Sequence, residues 1–149
     1  MKFLFVIAMV VFSGFAYAVN VPEELLNAIS TVESNNDDKA IGDSGKAVGR
    51  FQIWKTYVDE VNRISRLKKL PTRFSYEDRK NPEKSRQMVI IYLEFWGKQY
   101  EKNTRRPATM EVLAKIHNGH AFWKRSPKNK QYFRNIEKYW EKVKNALES

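Results

Sequence analysis

Two carboxylates within residues 32–53 have contrasting surroundings. Glu33 follows Leu26 and Ile29 at helical spacing, so it projects from an apolar face near the end of a predicted helix. Loss of solvation and the negative end of the helix dipole both favour its protonated form, which a general acid needs. Asp43 lies in a polar loop beside a glycine, where it is expected to stay ionised. One protonated and one ionised carboxyl group are the working parts of a glycoside-cleaving site.

Each residue of this stretch also has an ordinary structural explanation. A glutamate at the end of a helix commonly caps it or forms an ion pair, and aspartate beside glycine is a frequent turn former. Gln52 either lines a cleft or is a buried amide that ties the loop to the core. These residue types alone therefore leave catalytic and structural roles open.

Helices must position these side chains, and the sequence predicts a mostly α-helical single domain. In the first half of the chain, the predicted elements are a helix from Pro22 to about Glu33, an irregular loop over residues 34–50, a short strand or extended segment over 51–54, and a helix opened by a Thr56-x-x-Asp59 capping box and ending near Leu67. A basic turn-like segment over 68–80 and a helix beginning at Asn81-Pro82-Glu83 follow. After a break at 105–107, the sequence predicts a helix from Met110 to His117, stopped by Asn118-Gly119, and a last helix carrying Tyr132 to Val143.

The first 18 residues have the pattern of a secretory signal peptide. Lys2 precedes an apolar run, and the segment closes on Ala16-Tyr17-Ala18. An uncleaved membrane anchor is the alternative for this segment, and it is the only membrane contact that we expect. Residues 19–149 are then predicted to be one exported domain, periplasmic or secreted, and monomeric.

Composition narrows the choice of partner. The chain has 149 residues, no cysteine and a formal net charge of +10. Such a balance fits an anionic polymer: nucleic acid, an anionic membrane surface or a cell wall. Export to the cell surface disfavours nucleic acid. A basic cluster is predicted to be a solvated face that could also hold anionic groups of a wall, and its members are Arg63, Arg66, Lys68, Lys69 and Arg73.

No metal or other cofactor is predicted. The two histidines, His117 and His120, lack the accompanying carboxylate pattern of a zinc helix. The aspartates at 37, 38 and 43 do not match the spacing of an EF-hand loop.

The four tryptophans divide into two predicted groups. Trp96 and Trp140 fall on apolar helical stripes, which predicts that they belong to the core. Trp54 and Trp123 fall near loops, so they are the better candidates for contact with a saccharide.

Three motifs in order resemble the lysozyme-like superfamily, and they are Glu33-Ser34, then Gly49-x-Phe51-Gln52-Ile53, then Ile116-His117-Asn118-Gly119. The closest likeness is to soluble lytic transglycosylase-type domains and to phage and invertebrate-type lysozymes. Transglycosylases have a Glu-Ser pair ending a helix, a Gly-Leu-Met-Gln-type segment and a later Ala-Tyr-Asn-Ala-Gly-type segment. Invertebrate-type enzymes have Gly-Pro-Phe-Gln-Ile, then Tyr-Trp, with a second carboxylate in the loop. The resemblance covers roughly residues 22–143.

The resemblance implies a role for each matching residue. Glu33 matches the catalytic acid, and Ser34 matches a residue that supports the site or contacts substrate. Gln52 matches a glutamine lining the glycan cleft. Asp43 is the second carboxylate if the invertebrate-type comparison holds, and Tyr57 matches the tyrosine after the Phe-Gln-Ile segment in that comparison.

The third motif carries both a match and departures. Asn118, with the glycine after it, matches the turn beside the acid and is expected to contact substrate. His117 stands where the family has a tyrosine that reaches toward the acid, and it could supply that hydrogen bond instead. His120 and Ala121 replace a small residue and a proline, and the basic segment over residues 120–130 is unlike the family.

The resemblance implies cleavage of the β-1,4 bond between N-acetylmuramic acid and N-acetylglucosamine in peptidoglycan, by lytic transglycosylase or lysozyme chemistry, with Glu33 as general acid. The alternative is a catalytically inactive wall-binding or inhibitor-like module on the same fold. A third hypothesis, from charge alone, is a basic helical protein that binds membranes or nucleic acid.

Overall fold

Five α-helices and one small hairpin make up most of residues 19–149, the part of the chain that this computed structural model describes. The helices are α1 (Glu23–Ser34), α2 (Lys55–Leu67), α3 (Pro82–Thr104), α4 (Met110–Gly119) and α5 (Lys130–Glu148), and the strands are β1 (Ile41–Gly42) and β2 (Ala47–Val48). Short 3-10 turns cover Asp43–Gly45, Tyr76–Lys80 and Phe122–Lys124. The predicted mostly α-helical fold is confirmed.

The hydrophobic core lies between α1, α3, α4 and α5, and α2, which packs on α3, also contributes fully buried residues to it. Ile29, Leu93 and Leu113, from three different helices, are fully buried in it. Burying one such side chain stabilises the fold by about 1.5–3 kcal/mol relative to leaving it exposed. The packed core therefore fixes where the last turn of α1 lies relative to α4, and Glu33 belongs to that last turn.

The apolar face of α1 determines the direction of Glu33. Leu25, Leu26 and Ile29 point into the core. The helix ends at Asn35, which adopts the left-handed conformation with φ of 55°, and its N–H donates to the carbonyl of Thr31 at 2.9 Å. Because the helix continues through Glu33, this side chain leaves on the same side as the core residues.

The segment predicted to be an irregular loop contains a hairpin. Ile41 pairs with Val48 and Gly42 pairs with Ala47 in antiparallel register, and an isolated bridge joins Val48 to Ile53. The prediction missed this pairing because strands of two residues give no periodic signal.

Two arginines hold the hairpin in place. Arg50 donates from Nε and Nη2 to the two carboxylate oxygens of Asp38, at 2.6 and 3.0 Å. Arg79 is buried and donates to the carbonyls of Lys46, Ile53 and Tyr76. Each buried donor is therefore matched to an acceptor, as burial of a charge requires.

Gly49 allows the hairpin to approach the Tyr76–Lys80 turn closely. Its φ is +77°, and a Cβ at this position would collide with the carbonyl oxygen of Arg79. A side chain here would be strained by both conformation and space.

The observed helix ends confirm one prediction from the sequence and differ from two others. Asn81 caps α3 by accepting from the N–H of Lys84 at 2.9 Å, as predicted. The predicted capping box at Thr56 is wrong, because α2 begins at Lys55 and Trp54 stands at the cap without a side-chain hydrogen bond. Helix α4 also includes Asn118 and ends at Gly119, and His120 follows it with φ of 54°.

The predicted signal peptide, residues 1–18, lies outside the described residues. Among residues 19–149, no helix combines the length and the apolar character needed to cross a membrane.

Candidate active site

A cleft of about 850 Å³ runs between α1, the hairpin, α2, α3 and α4. Its lining residues are Glu33, Gly42, Asp43, Gln52, Trp54, Thr56, Tyr57, Glu60, Arg63, Tyr92, Trp96, His117, Asn118 and His120. Six of the seven residues predicted from the sequence for the site are among them. The cleft therefore brings together side chains that are far apart along the chain.

Glu33 lies at one end of the cleft, close to His117. Its side chain is 17% exposed, whereas that of His117 is 4% exposed. The distance from Glu33 Oε1 to His117 Nε2 is 3.5 Å. The carboxyl group is thus shielded from most solvent and still open to a bound molecule.

Hydrogen-bond partners determine which nitrogen of His117 carries the proton in the neutral ring. Nε2 lies 3.2 Å from the carbonyl oxygen of Phe51, which only accepts, so Nε2 carries the hydrogen. Nδ1 then accepts from the hydroxyl of Tyr57 at 3.4 Å. His117 is therefore held from both sides with its N–H beside the Glu33 carboxyl group, where the family resemblance places a tyrosine.

The half-buried Tyr57 and the buried Tyr139 complete the surroundings of Glu33. Tyr57 stacks on Tyr92 with 3.8 Å between ring centroids; burial, then Tyr92 and Glu33, raise the pKa of Tyr57 well above its usual value. Burial, followed by the Glu33 carboxylate, likewise raises the pKa of Tyr139. The Tyr139 hydroxyl makes no hydrogen bond of standard geometry with any of residues 19–149. Both phenols therefore stay protonated, so the Tyr57 hydroxyl can donate to His117 and the Tyr139 hydroxyl is a potential donor toward the acid.

Asp43 lies on the hairpin side of the same cleft and is exposed. Its backbone has φ of 47°, and its Oδ2 accepts from Trp54 Nε1 at 3.2 Å. The Nζ of Lys46 lies over the Trp54 ring, 5.4 Å from its centroid. Asp43 is thus oriented by Trp54, which also lines the cleft, and its carboxylate is exposed to solvent.

Gln52 combines the two roles that the sequence left open. Its Nε2 donates to the carbonyl of Gly49 at 3.0 Å, which ties the loop together, and its side chain also lines the cleft. A Cβ at Gly42 would collide with Gln52 Oε1, so the glycine makes room for this amide. The backbone of Gln52 has φ of 48°, which is uncommon for a residue with a side chain.

Ser34 does not line the cleft. Its hydroxyl donates to the carbonyl of Arg50 at 2.9 Å and accepts from the N–H of Asp37 at 3.0 Å. It therefore ties the end of α1 to the hairpin, which corresponds to the supporting role and not to substrate contact.

The other end of the cleft was missed by sequence reasoning. Glu60 accepts from Nε and Nη2 of Arg63, both at 2.6 Å, and from Trp96 Nε1 at 3.1 Å. Trp96, predicted to be in the core, is half-buried and lines the cleft, because α3 presents Tyr92 and Trp96 one turn apart at the edge of the core. The available signal was the helical spacing of Glu60 and Arg63 after Tyr57 on α2.

The sequence model of the family described as Transglycosylase SLT domain matches residues 11–139. The chain belongs to this family. Its fold is accordingly the mainly helical form of the lysozyme-like superfamily, and the predicted resemblance is confirmed. No curated protein and no solved structure gives a significant match to the chain.

Of the remaining residues predicted for the site, some line the cleft of the SLT domain and one does not. Asn118 is exposed in the last turn of α4 and lines the cleft. Trp54 also lines it and is 42% exposed. Trp123 instead packs against Tyr100 and Phe122, and it is not among the lining residues. Of the two tryptophans proposed for saccharide contact, only Trp54 is therefore placed at the cleft.

His120 lines the cleft of this SLT domain next to Tyr92 and Trp96. Its Nδ1 is hydrogen-bonded to the Tyr92 hydroxyl, and its ring lies edge-on to Trp96 with 4.3 Å between centroids. Burial lowers the pKa of His120, which favours the neutral ring. Within residues 19–149, no group of three or more histidine or acidic side chains is placed to bind a metal ion.

Proposed function

We propose that this SLT domain cleaves the glycan strands of peptidoglycan at the β-1,4 bond between N-acetylmuramic acid and N-acetylglucosamine, with Glu33 as the general acid. The observation that carries the proposal is the position of Glu33, a mostly buried carboxyl group beside the His117 N–H that opens into a cleft of about 850 Å³. Membership of the family supports peptidoglycan as the substrate.

In the first step, protonated Glu33 donates its proton to the glycosidic oxygen as the bond from that oxygen to C1 of the muramic acid breaks. Positive charge develops at C1 and on the ring oxygen. His117 and Tyr57 keep the carboxyl group in place during this transfer, because the histidine is itself fixed by Tyr57 and by the carbonyl of Phe51. Gln52, Trp54 and Asn118 line the cleft and are proposed to contact the sugar rings.

Two second steps are chemically complete, and family membership supports the first of them. In the transglycosylase route the 6-hydroxyl of the same sugar attacks C1 and its proton returns to Glu33, which gives a 1,6-anhydro product and regenerates the acid. In the lysozyme route a water molecule supplies the attacking oxygen, and an ionised Asp43 stabilises or captures the positive centre. The exposed loop position of Asp43 makes it the less shielded of the two carboxyl groups.

The site of action follows from the substrate. A domain that cuts peptidoglycan meets it in the periplasm or outside the cell, and we propose that residues 1–18 direct the chain there. Action as a monomer is part of the same proposal.

Mass spectrometry of the products released from purified peptidoglycan tests the proposed function. Wild type is expected to release anhydro-muropeptides, and Glu33→Gln is expected to release none above background. Glu24→Gln is the matched control, since it makes the same chemical change on the exposed face of the same helix.

The other outcomes are equally informative. Muropeptides with reducing ends would establish the lysozyme route, in which Asp43 is the candidate for the second carboxylate. Absence of any Glu33-dependent product, together with retained binding to peptidoglycan, would contradict the proposal in favour of an inactive wall-binding module.

A further inference from the structure

The end of the cleft away from Glu33 carries an excess of positive charge. Arg63 lines this end, and Lys124 lies beyond it with Nζ 5.7 Å from the centroid of the Trp96 ring. Burial is the main cause that lowers the pKa of His120. Arg125, Lys124 and Arg63 are close enough to lower it further, whereas Glu60 raises it. Three cations and one carboxylate therefore act on His120 at this end.

Glu60, the carboxylate at this end, orients Arg63 and leaves hydrogen-bond donors of Arg63 and Lys124 available. Glu60 is 21% exposed and engages Nε and Nη2 of Arg63, which is 43% exposed. Arg63 Nη1 has no hydrogen-bond partner among residues 19–149, and no carboxylate of that range pairs with Lys124. Trp96 Nε1 donates to Glu60 Oε1, the oxygen that also accepts from Arg63 Nη2, so Glu60 holds the guanidinium group next to Trp96 at the cleft wall.

This end lies along the cleft and not at the acid. Tyr57, Glu60 and Arg63 follow one face of α2, and Tyr57 contacts His117 beside Glu33. With a rise of about 1.5 Å per residue, Arg63 is roughly 9 Å further along the helix axis than Tyr57. A group bound there would belong to a part of the substrate remote from the bond that is cleaved.

We propose that Arg63, Lys124, Trp96 and Glu60 form a subsite for the carboxylate-bearing substituents of the glycan strand. Arg63 and Lys124 bind the carboxylate, and Glu60 is a positioning residue that holds Arg63 and Trp96. The shared chemistry is a carboxylate, which a strand carries either on its peptides or, once these are removed, on the lactyl group. The proposal rests on the proposed function, because it takes peptidoglycan as the occupant of the cleft.

Equilibrium binding to the Glu33→Gln protein tests the subsite without turnover. The probes are peptide-bearing glycan strands, strands stripped of peptides by an amidase, and chitin oligosaccharides, which carry no carboxylate. Adding Arg63→Gln or Lys124→Gln is expected to weaken binding to a carboxylate-bearing probe by about tenfold, the size expected for one charge-assisted hydrogen bond. Binding to chitin oligosaccharides is expected to stay unchanged.

Arg66→Gln is the matched control, since it removes the same charge from an exposed arginine of α2 outside the cleft lining. Arg63→Lys is expected to recover part of the affinity, because it restores the charge without the planar fork. The contribution is expected to shrink as salt is added, since Arg63 is partly exposed.

The three probes show which carboxylate is bound and which results would contradict the subsite. A loss confined to peptide-bearing strands assigns the subsite to peptide carboxylates, and a loss confined to stripped strands assigns it to the lactyl group. Equal losses for Arg63→Gln and Arg66→Gln, or a loss that includes chitin oligosaccharides, would overturn the subsite. If wild type still releases Glu33-dependent products in that case, the proposed function stands while the subsite falls.

Discussion

The two ends of the cleft solve different physical problems. At the acid end, Glu33 and His117 are mostly withdrawn from water and fixed by neighbours from α2 and the hairpin. At the cationic end, Arg63 and Lys124 extend into solvent around Trp96. Proton transfer needs a fixed geometry and exclusion of water. Attraction of a charged substituent instead needs long, exposed cationic side chains that can move to meet it.

The difference teaches where substitutions should act. A change at the acid end alters a hydrogen-bonded chain in a buried place, so it should affect the rate of the chemical step. A change at the cationic end alters an exposed contact that water and salt weaken, so it should affect binding.

The largest effect among the substitutions that test this comparison is expected for His117→Phe. The change keeps a ring of similar size and removes both nitrogens, so Glu33 loses the N–H that lies 3.5 Å from Oε1. We expect kcat to fall by about 100-fold with KM nearly constant, the size of a misplaced catalytic group. Kinetics on purified glycan strands, below the melting temperature of the variant, measures this split.

Tyr57→Phe tests the same series of hydrogen bonds around His117 with a smaller structural change. It removes only the hydroxyl that donates to His117 Nδ1, and we expect a fall in kcat of about tenfold, the cost of one lost hydrogen bond to a positioned group. Tyr76→Phe is the control, since that hydroxyl donates to Asp59 outside the cleft lining. If His117→Phe and Tyr57→Phe both raised KM and left kcat unchanged, the proposed difference between the two ends of the cleft would be wrong.

A smaller effect is expected on the hairpin wall. Gly42→Ala places a methyl group where Gln52 Oε1 lies and leaves the backbone conformation allowed, so the amide must move while the fold persists. We expect kcat/KM to fall by about threefold with little change in Tm, because the displaced group is the flexible end of a side chain.

A double-mutant cycle shows whether this effect passes through the amide. In a Gln52→Ala background, Gly42→Ala should cost nothing further. An undiminished cost there would mean that the methyl group distorts the hairpin itself.

The smallest effect concerns the pH dependence of stability through His120. Burial holds its folded pKa below the usual 6.5, so folding favours the neutral ring; this stability is present above the unfolded pKa and is lost as pH falls through the folded pKa. Thermal melts of wild type and His120→Asn should therefore differ more at about pH 8 than at about pH 5. An equal difference at both values would show that the ring contributes by packing alone.

Much of the fold could be predicted because its signals are local. The apolar spacing of α1 predicts both the helix and the direction of Glu33, and Asn81-Pro82 marks the start of α3. The hairpin could not be predicted, since its two-residue strands depend on Arg50 and Arg79, whose partners lie elsewhere in the chain.

The candidate site divides in the same way. Motif resemblance pointed to Glu33, Asp43, Gln52 and Asn118, and all four line one cleft. Ser34 belongs to the motif and yet bonds away from the cleft, because the carbonyl of Arg50 lies within reach of its hydroxyl. Glu60 and Trp96 belong to no motif and face the cleft, because α2 and α3 pack side by side along its wall.

By itself the sequence determined the helices, the family and the residue that is proposed to give up the proton. Periodicity and capping act over one or two turns, so they can be read without knowing the neighbours. Only the tertiary structure decided that His117 is held by Tyr57, that Arg63 lines the same cleft as Trp96, and that Lys124 lies over the Trp96 ring. Those relations depend on how whole helices pack, and the packing depends on the entire core at once.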